Sequence, residues 1–202
     1  MKKEIFQFKI ELLHIKPKIW RVINVPSIYT FWDLHVAIQD AMGWFDYHLH
    51  EYTFQTDDVR NPVRIGMPDE ETGDSVLADW EVSLTQFFTE VGDTCRYDYD
   101  FGDDWEHLVT FTGRPKIDKR RKYPYCVEGA QACPPEDVGG PAGYQMFVNV
   151  LKNKNDNRYD DMIFWLENHS CNYDEFDPDY FEPKDIFFWD PKERFKIAFG
   201  DE

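Results

Sequence analysis

The amino-acid sequence predicts an α+β protein with an antiparallel sheet, packed helices and a C-terminal helical portion. Short segments of alternating polar and apolar residues dominate the first half, and segments with helical periodicity follow after about residue 141. Strands and helices do not alternate along the chain, which disfavours a parallel sheet. No repeat or linker divides the sequence, so we expect one domain over residues 1–202, with a helical extension at about residues 141–190.

The first elements are predicted from local patterns. Alternation predicts a half-buried strand at Phe6, Phe8, Ile10 and Leu12. Residues 19–25 follow Pro17 and complete a hairpin. Thr30 then caps a helix, Asp33 supplies a capping box, and Gly43 ends the helix. The apolar stripe of this helix is Phe31, Leu34, Ile38 and Ala41.

Later elements follow from the same periodicities. Residues 48–55 are typical of a strand, residues 57–93 are rich in loops, and residues 95–112 indicate a hairpin. Residues 114–143 contain too much proline and glycine to predict regular structure. Helices are expected at about residues 144–152 and 158–168. Alternation at the end of the chain indicates a return to strand at Phe195, Ile197 and Phe199.

The chain is strongly acidic, with 39 Asp and Glu against 22 Lys and Arg and a formal net charge of −17. This disfavours nucleic acid and anionic membranes as partners, because phosphate binding needs clustered Lys and Arg. The basic run at residues 116–122 is expected to be a solvated loop. No apolar run approaches the roughly 18 residues of a membrane helix. We therefore expect a soluble, cytoplasmic protein with reduced cysteines.

Three short segments concentrate histidine, acids, cysteine and glycine: residues 48–52 (HLHEY), 97–107 (YDYDFGDDWEH) and 133–140 (CPPEDVGG). Three flanking motifs accompany them: residues 18–22 (KIWRV), 42–44 (MGW) and 143–144 (GY). In this order the motifs resemble the Ri-plasmid third-open-reading-frame-like family, which includes insertion-element passenger proteins labelled resolvase-like. The resemblance covers roughly residues 5–150. It implies an association with mobile elements but no settled activity.

The register of the hairpin at residues 95–112 decides where its acids lie. An odd-numbered loop, such as residues 102–104, gathers one aromatic face: Cys95, Tyr97, Tyr99, Phe101, Trp105, His107, Val109 and Phe111. An even loop would bury Asp98 and Asp100 without partners, which costs several kcal/mol. The sequence therefore predicts that Asp98, Asp100 and Glu106 are exposed on the opposite face. That face is either a solvated acidic surface or a site for a divalent cation or a basic partner.

His48 and His50 lie two residues apart on a predicted strand, so both are expected on one face with Tyr52. Neutral imidazoles are good ligands for zinc and similar ions. Two histidines do not complete a metal site, so His107, Glu51 or a cysteine would have to join them. The alternatives are that His48 caps the preceding turn and that His50 is ordinary sheet surface. For His107 the alternative is a core histidine hydrogen-bonded to Tyr99.

The segment around residues 126–140 offers two further candidate sites. Six residues separate Cys126 from Cys133, a wider spacing than in common zinc sites. Three interpretations remain open for them: semi-buried thiols, a zinc site or a redox pair. The glycines at residues 139–140 precede a helix, but no Lys-Ser or Lys-Thr follows, which excludes a nucleotide P-loop. Glu136 and Asp137 are expected to occupy the positive end of that helix.

We expect the three motif segments to meet at one cleft, which the following residues line or underlie: His48, His50, Asp100, Asp103, Trp105, His107, Glu136 and Asp137. The candidate ligands for a divalent metal are His48, His50, His107, Cys126 and Cys133. If the cleft is catalytic, His50 or His107 acts as ligand or base, and Asp100 or Asp103 holds the cation. If it is structural, the same residues bond to one another and to backbone N–H groups.

Two functions from different classes remain for this cleft. The favoured hypothesis is a non-catalytic binding or adaptor protein that recognises a basic protein or peptide. The alternative is a metal-dependent hydrolase that uses the His, Asp and Glu cluster. Recombinase catalysis is rejected, because none of the serines lies among the arginines that would stabilise a phosphoryl group.

Overall fold

The computed structural model describes residues 4–68, 75–171, 173 and 176–200. Over these residues eight strands form one sheet: β1 (Ile5–Leu12), β2 (Trp20–Pro26), β3 (His50–Phe54), β4 (Val63–Gly66), β5 (Val76–Ala78), β6 (Thr94–Tyr99), β7 (Trp105–Gly113) and β8 (Tyr125–Ala130). The same residues include four α-helices: α1 (Phe31–Met42), α2 (Gly140–Leu151), α3 (Tyr159–Glu167) and α4 (Pro191–Phe199). The strand order is β5-β4-β3-β6-β7-β1-β2-β8, and β4 and β5 are the parallel pair in an otherwise antiparallel sheet. The predicted α+β class is confirmed.

β1 lies near the middle of the sheet, because it pairs with β2 on one side and with β7 on the other. Its alternating pattern directs Phe6, Phe8 and Ile10 into the core, where each is at most 2% exposed. Lys9 and Glu11 lie on the other face and form an ion pair there. The strand predicted from this alternation is confirmed.

α1 begins at Phe31 because Thr30 caps it. The Thr30 hydroxyl accepts a hydrogen bond from Asp33 N, and the Asp33 carboxylate accepts one from Thr30 N at 2.9 Å. The helix ends at Gly43, whose φ of 96° is left-handed. Leu34 and Ile38 are 0% exposed within the core, and full burial stabilises each by roughly 1.5–3 kcal/mol. The predicted helix, its caps and its apolar stripe are confirmed.

β6 and β7 form the predicted hairpin with the predicted aromatic face. Tyr97 opposes His107, Tyr99 opposes Trp105, and all four residues are 0% exposed. The loop is odd as expected, but it has five residues, 100–104, instead of three. The strand pairing is therefore shifted by two residues from the one that a three-residue loop would give. Because side chains alternate with a period of two, this shift leaves the strand residues on their predicted faces. Residue Phe101 is the exception in the aromatic set, since it lies in the loop and is 56% exposed.

Asp98 and Asp100 are buried, which contradicts the predicted exposure of the hairpin acids. Asp98 is accommodated by Arg96, whose Nε donates to it at 2.8 Å and whose guanidinium also lies 3.5 Å from Glu106. Partial burial raises the pKa of Asp98 to about 6, although Arg96 opposes the rise. Arg96 thus offsets part of the negative charge on the acidic face of the hairpin. This face therefore attracts a basic partner less strongly than the sequence predicts.

β8 lies in the stretch that the sequence predicts to be irregular. It pairs with the edge of β2 in an antiparallel register that shifts between Val22 and Ile23. The partner strand supplies the hydrogen bonds, so composition within residues 114–143 could not reveal the strand. Its position makes β8 one edge of the sheet.

The tail forms the helix α4 and not the strand that its alternation predicts. Asp190 caps the helix by accepting from Lys192 N, and Pro191 occupies the first turn. Phe195 and Phe199 are four residues apart, so both reach the ring of Trp32 from one helical face. The apparent alternation arises from Ile197, which is 71% exposed.

α2 and α3 confirm the two helices expected after residue 141, with α2 starting at Gly140 instead of Tyr144. None of the helices in the described part of the chain combines the length and hydrophobicity that crossing a membrane requires. The assignment of residues 1–202 to a single domain with a helical extension stays a prediction.

Candidate functional site

His48, Asp100 and Asp137 belong to the three sequence motifs and meet near the surface. His48 Nε2 lies 3.6 Å from Asp100 Oδ2 and 3.3 Å from Asp137 Oδ1. A ligand atom of each residue lies within 4.8 Å of those of the other two. His48 Nε2 has no hydrogen-bond partner among the described residues. One imidazole nitrogen and two carboxylate oxygens form a donor set that suits divalent cations, and we call these three residues the His48 centre.

The backbone after β6 positions the Asp100 carboxylate. Asp100 has a left-handed φ of 55°, which aspartate tolerates better than most residues. Its Oδ1 accepts hydrogen bonds from Gly102 N at 2.9 Å and Asp103 N at 3.3 Å. Because both bonds use Oδ1, Oδ2 remains for His48. The Asp100 side chain is 9% exposed and that of Asp137 is 60% exposed, so the centre is closed on one side and open to solvent on the other.

Glu136 adds a second carboxylate beside Asp137, and it is fully buried. Its Oε1 accepts hydrogen bonds from Phe45 N at 2.8 Å and from the Tyr99 hydroxyl at 3.0 Å. Its Oε2 has no hydrogen-bond partner within the described ranges. Burial raises the pKa of Glu136, whereas these hydrogen bonds and the charge of His48 oppose the rise. An unpaired buried oxygen is unfavourable, so nearby positive charge would stabilise this loop.

Asp103 supports α2 and does not join the His48 centre. Its Oδ2 accepts a hydrogen bond from Gly139 N at 3.0 Å, immediately before the helix. The expectation that Glu136 and Asp137 occupy this positive end is therefore wrong, because the hairpin loop supplies the acid. Gly140 lies so close to that loop that a Cβ atom on it would be 2.4 Å from the Asp103 carbonyl oxygen.

His50 lies in a separate, buried network. β3 starts at His50, so His48 precedes the strand and the expected shared face does not form. His50 Nε2 lies 2.7 Å from Asp79 Oδ2, its ring stacks on His35, and His35 Nε2 lies 2.7 Å from Asp46 Oδ1. His35, Asp46 and His50 also bring ligand atoms within 4.8 Å of one another. Sequence reasoning missed His35, although a histidine inside the predicted helix was an available signal.

His107 and Trp105 are 0% exposed, so they underlie the site from the core and line no open cleft. His107 Nδ1 lies 3.1 Å from the carbonyl oxygen of Tyr97. Burial lowers the pKa of His107 to about 4. It is the hydrogen-bonded core histidine of the sequence analysis, bonded to the Tyr97 backbone instead of Tyr99. In the part of the chain that the structure describes, His107 belongs to neither group of metal-ligating residues.

Cys126 and Cys133 are buried free thiols. Burial raises the pKa of Cys126 to about 11 and raises that of Cys133 as well, although Arg21 opposes both shifts. The thiolate, which binds metal or attacks a disulfide, is therefore disfavoured at neutral pH. Neither cysteine belongs to a group of metal-ligating residues in the described ranges. Of the three interpretations, buried thiols fit this geometry best.

Arg21, from the KIWRV motif, is a buried cation that sequence reasoning left without a role. It is 1% exposed, and its guanidinium lies 3.8 Å from the ring centre of Phe181. It donates to the carbonyl oxygens of Trp20, Ala41, Ala130 and Gln131 at 2.8–2.9 Å. Arg21 thus connects β2 to the end of α1 and to the end of β8.

The fold and the site together define an α+β protein with one large, mainly antiparallel sheet and a His–Asp–Asp centre built by its loops. The chain belongs to the plasmid pRiA4b ORF-3-like protein family, whose model matches residues 4–185. The family resemblance drawn from the sequence motifs is thereby confirmed.

Two similar proteins extend this assignment. The uncharacterized protein y4hQ of Sinorhizobium fredii strain NBRC 101917 / NGR234 is 34% identical over 180 residues, which is 86% of this chain and 86% of y4hQ. The crystal structure of MM3350, a protein of unknown function from Methanosarcina mazei Go1, superposes with a TM-score of 0.80 at 36% identity. That match covers 93% of this chain and 100% of MM3350. The fold described above is therefore similar to that of MM3350.

Proposed function

We propose that this protein is a non-catalytic binding protein whose His48 centre holds a divalent cation. The observation that carries the proposal is the spacing around His48 Nε2, which lies 3.3 and 3.6 Å from two carboxylate oxygens without a hydrogen bond. In a tetrahedral site with bonds of about 2.0–2.2 Å, ligand atoms lie about 3.4 Å apart. The spacing of the three donors therefore suits an ion shared among them.

The role of such a cation follows from where its ligands lie in the chain. His48 precedes β3, Asp100 follows β6, and Asp137 lies in the loop before α2. One ion would connect three loops that are far apart in sequence and would offset the repulsion between Asp100 and Asp137. The buried Glu136 beside them would gain from the same positive charge. These features support an ion that organises a binding surface.

A metal-dependent hydrolase is the second candidate, and one observation favours it. The Asp137 side chain is 60% exposed, so a cation held here would keep a coordination position open to water. Catalytic metal sites commonly combine three protein ligands with such a position. We also propose that the protein is associated with mobile elements, which the family resemblance supports. We propose a cytoplasmic location as well, which the sequence alone supports.

Cation binding can be tested by calorimetric titration of chelator-treated protein with Zn²⁺, Mn²⁺, Mg²⁺ and Ca²⁺. We expect at least one ion to bind with 1:1 stoichiometry and to raise Tm. His48→Ala and Asp100→Asn should each weaken its binding at least tenfold. His14→Ala is the matched control, since His14 is an exposed histidine 2.8 Å from Glu106 outside the centre. Unchanged affinity in His48→Ala would overturn the proposal.

The two candidate functions separate in a hydrolysis assay on the cation-loaded protein. With p-nitrophenyl phosphate and p-nitrophenyl acetate as probes, a non-catalytic protein should give the same rate as the His48→Ala variant. A rate that His48→Ala and Asp100→Asn abolish, and that His14→Ala preserves, would instead establish the hydrolase.

A further inference from the structure

A groove of about 800 Å³ lies between α2, α3, Tyr173 and residues 176–179. Its apolar lining includes Leu151 of α2 and Ile163 of α3, with Tyr159, Tyr173 and Phe176 supplying aromatic rings. The volume falls within the range of about 300–1,000 Å³ that is typical of ligand sites. None of the three sequence motifs includes these residues.

The charged residues of the groove are mainly acidic. Glu167, Asp177 and Asp179 line it, together with one cation, Lys152. Lys152 forms an ion pair with Asp179 at 3.1 Å, so these two charges offset each other. Among the described residues, Glu167 has no ion-pair partner, and Asp177 accepts one hydrogen bond, from the backbone N–H of Asp179. Two carboxylates beside aromatic rings form a site that suits an arginine or lysine side chain.

The groove is long enough for a segment of polypeptide. Its α3 lining runs from Tyr159 to Glu167, which are the first and last residues of that helix. Nine helical residues span about 13 Å, a length that matches about four residues of extended chain. The chain as a whole carries a formal charge of −17, which attracts cationic partners over a distance.

We propose that this groove binds a basic peptide segment, with an Arg or Lys side chain between Glu167 and Asp177 and apolar neighbours against Ile163 and Phe176. This inference rests on the proposed binding function and names its partner. One contact connects the groove to the His48 centre: the Tyr173 hydroxyl accepts a hydrogen bond from Glu136 N at 2.9 Å. This hydrogen bond links a residue that lines the groove to the residue that precedes Asp137.

Fluorescence anisotropy with a labelled nine-residue peptide of alternating Arg and Leu tests the proposal. The reference peptide carries citrulline at each arginine position, which removes the charge and keeps the shape. We expect the arginine peptide to bind at least tenfold more tightly, and the difference to shrink as NaCl rises from 50 to 200 mM. Equal binding of both peptides would overturn the proposal.

The variants locate the binding to the groove. Glu167→Gln with Asp177→Asn should weaken the arginine peptide at least tenfold. The control is Asp160→Asn with Asp161→Asn, which removes two charges from exposed positions of α3 outside the groove. Equal losses in the two double variants would mean that only net charge matters and would refute the site. Self-association that the groove variant abolishes would assign the groove to a second copy of this chain and would also refute the proposal.

The failure of one proposal can be told from the failure of the other. Peptide binding that survives in His48→Ala and in chelator-treated protein supports the groove even if no cation binds. Cation binding without any preference for the arginine peptide supports the His48 centre and overturns the groove.

Discussion

The imidazole rings of His35 and His50 stack 3.5 Å apart and within 8° of parallel in the core. Each ring has its own carboxylate, since His35 bonds to Asp46 and His50 bonds to Asp79. Burial, together with the neighbouring His50, lowers the pKa of His35 to about 4. Two stacked imidazolium ions would repel each other, so this part of the core depends on a neutral His35.

Acid should destabilise the protein partly through His107, which is buried like His35. Burial places its pKa at about 4 in the folded state, against about 6.5 in the unfolded chain. The unfolded state binds more protons between these values, so the stabilisation is complete above about pH 6.5 and is lost as the pH falls towards 4. In urea unfolding, wild type should lose about 1 kcal/mol per pH unit more than His107→Leu over this window.

Two partly buried acids change the pH dependence in the opposite direction, and the comparison of wild type with His107→Leu cancels their contribution. Burial raises the pKa of Asp40 and of Asp98 to about 6, so these acids stabilise the folded state increasingly as the pH falls from 6 towards 3.8. They are present in both proteins and cancel in the difference. Parallel pH profiles for wild type and His107→Leu would contradict the prediction.

Leu34→Ala should destabilise the protein by about 2–5 kcal/mol, because Leu34 is fully buried where α1 packs on the sheet. Phe164→Ala provides the control, since Phe164 is 66% exposed on α3 and its loss should change the free energy of unfolding by about 0.5 kcal/mol or less. Denaturant unfolding measures both. A loss below about 1 kcal/mol for Leu34→Ala would show that α1 contributes little to the core.

Gly140→Ala should destabilise the protein by about 1–3 kcal/mol more than Gly43→Ala. Both glycines have positive φ, at 67° and 96°, so both substitutions carry a backbone cost. A Cβ at Gly140 would meet the Asp103 carbonyl oxygen at 2.4 Å, whereas a Cβ at Gly43 would meet nothing within 4 Å. Equal losses in thermal unfolding would mean that the hairpin loop and α2 do not make this close approach.

Arg21→Lys should cost about 3 kcal/mol although it preserves the charge. The guanidinium of Arg21 serves four carbonyl oxygens, and an ammonium cannot reproduce that planar pattern. Arg96→Lys is the control, because the Arg96 side chain is 51% exposed and a lysine there keeps the positive charge beside Asp98 and Glu106. It should cost about 1 kcal/mol or less, and a similar loss for both variants would refute the role assigned to Arg21.

The sequence predicted the elements whose causes are local. The caps of α1 lie within four residues of its ends, and the faces of the β6–β7 hairpin follow from the parity of its loop. β8 was missed because β2 supplies its hydrogen bonds from about 100 residues away. α4 was mistaken for a strand, although Asp190 and Pro191 carry a helix-start signal that outweighs the alternation after them.

The candidate site was predictable in part, and the limit was again distance along the chain. His48, Asp100 and Asp137 stood out because each lies in an unusual motif, and the structure brings them together. His50 was grouped with His48 by spacing alone, since nothing local indicates that Asp79 lies 2.7 Å from it. The acid at the start of α2 is Asp103, which accepts a hydrogen bond from Gly139 N. Asp103 lies in the β6–β7 loop, so no local capping rule identifies it.

The position of β1 has a consequence for how the chain is synthesised. β2 can pair with β1 almost as soon as both leave the ribosome, whereas Phe8 waits for Phe111, about 100 residues later. Closing a loop of that length costs on the order of 4 kcal/mol in chain entropy. Until β7 emerges, the nascent protein carries an aromatic strand with one edge unpaired, which is the kind of surface that chaperones bind and that seeds aggregation.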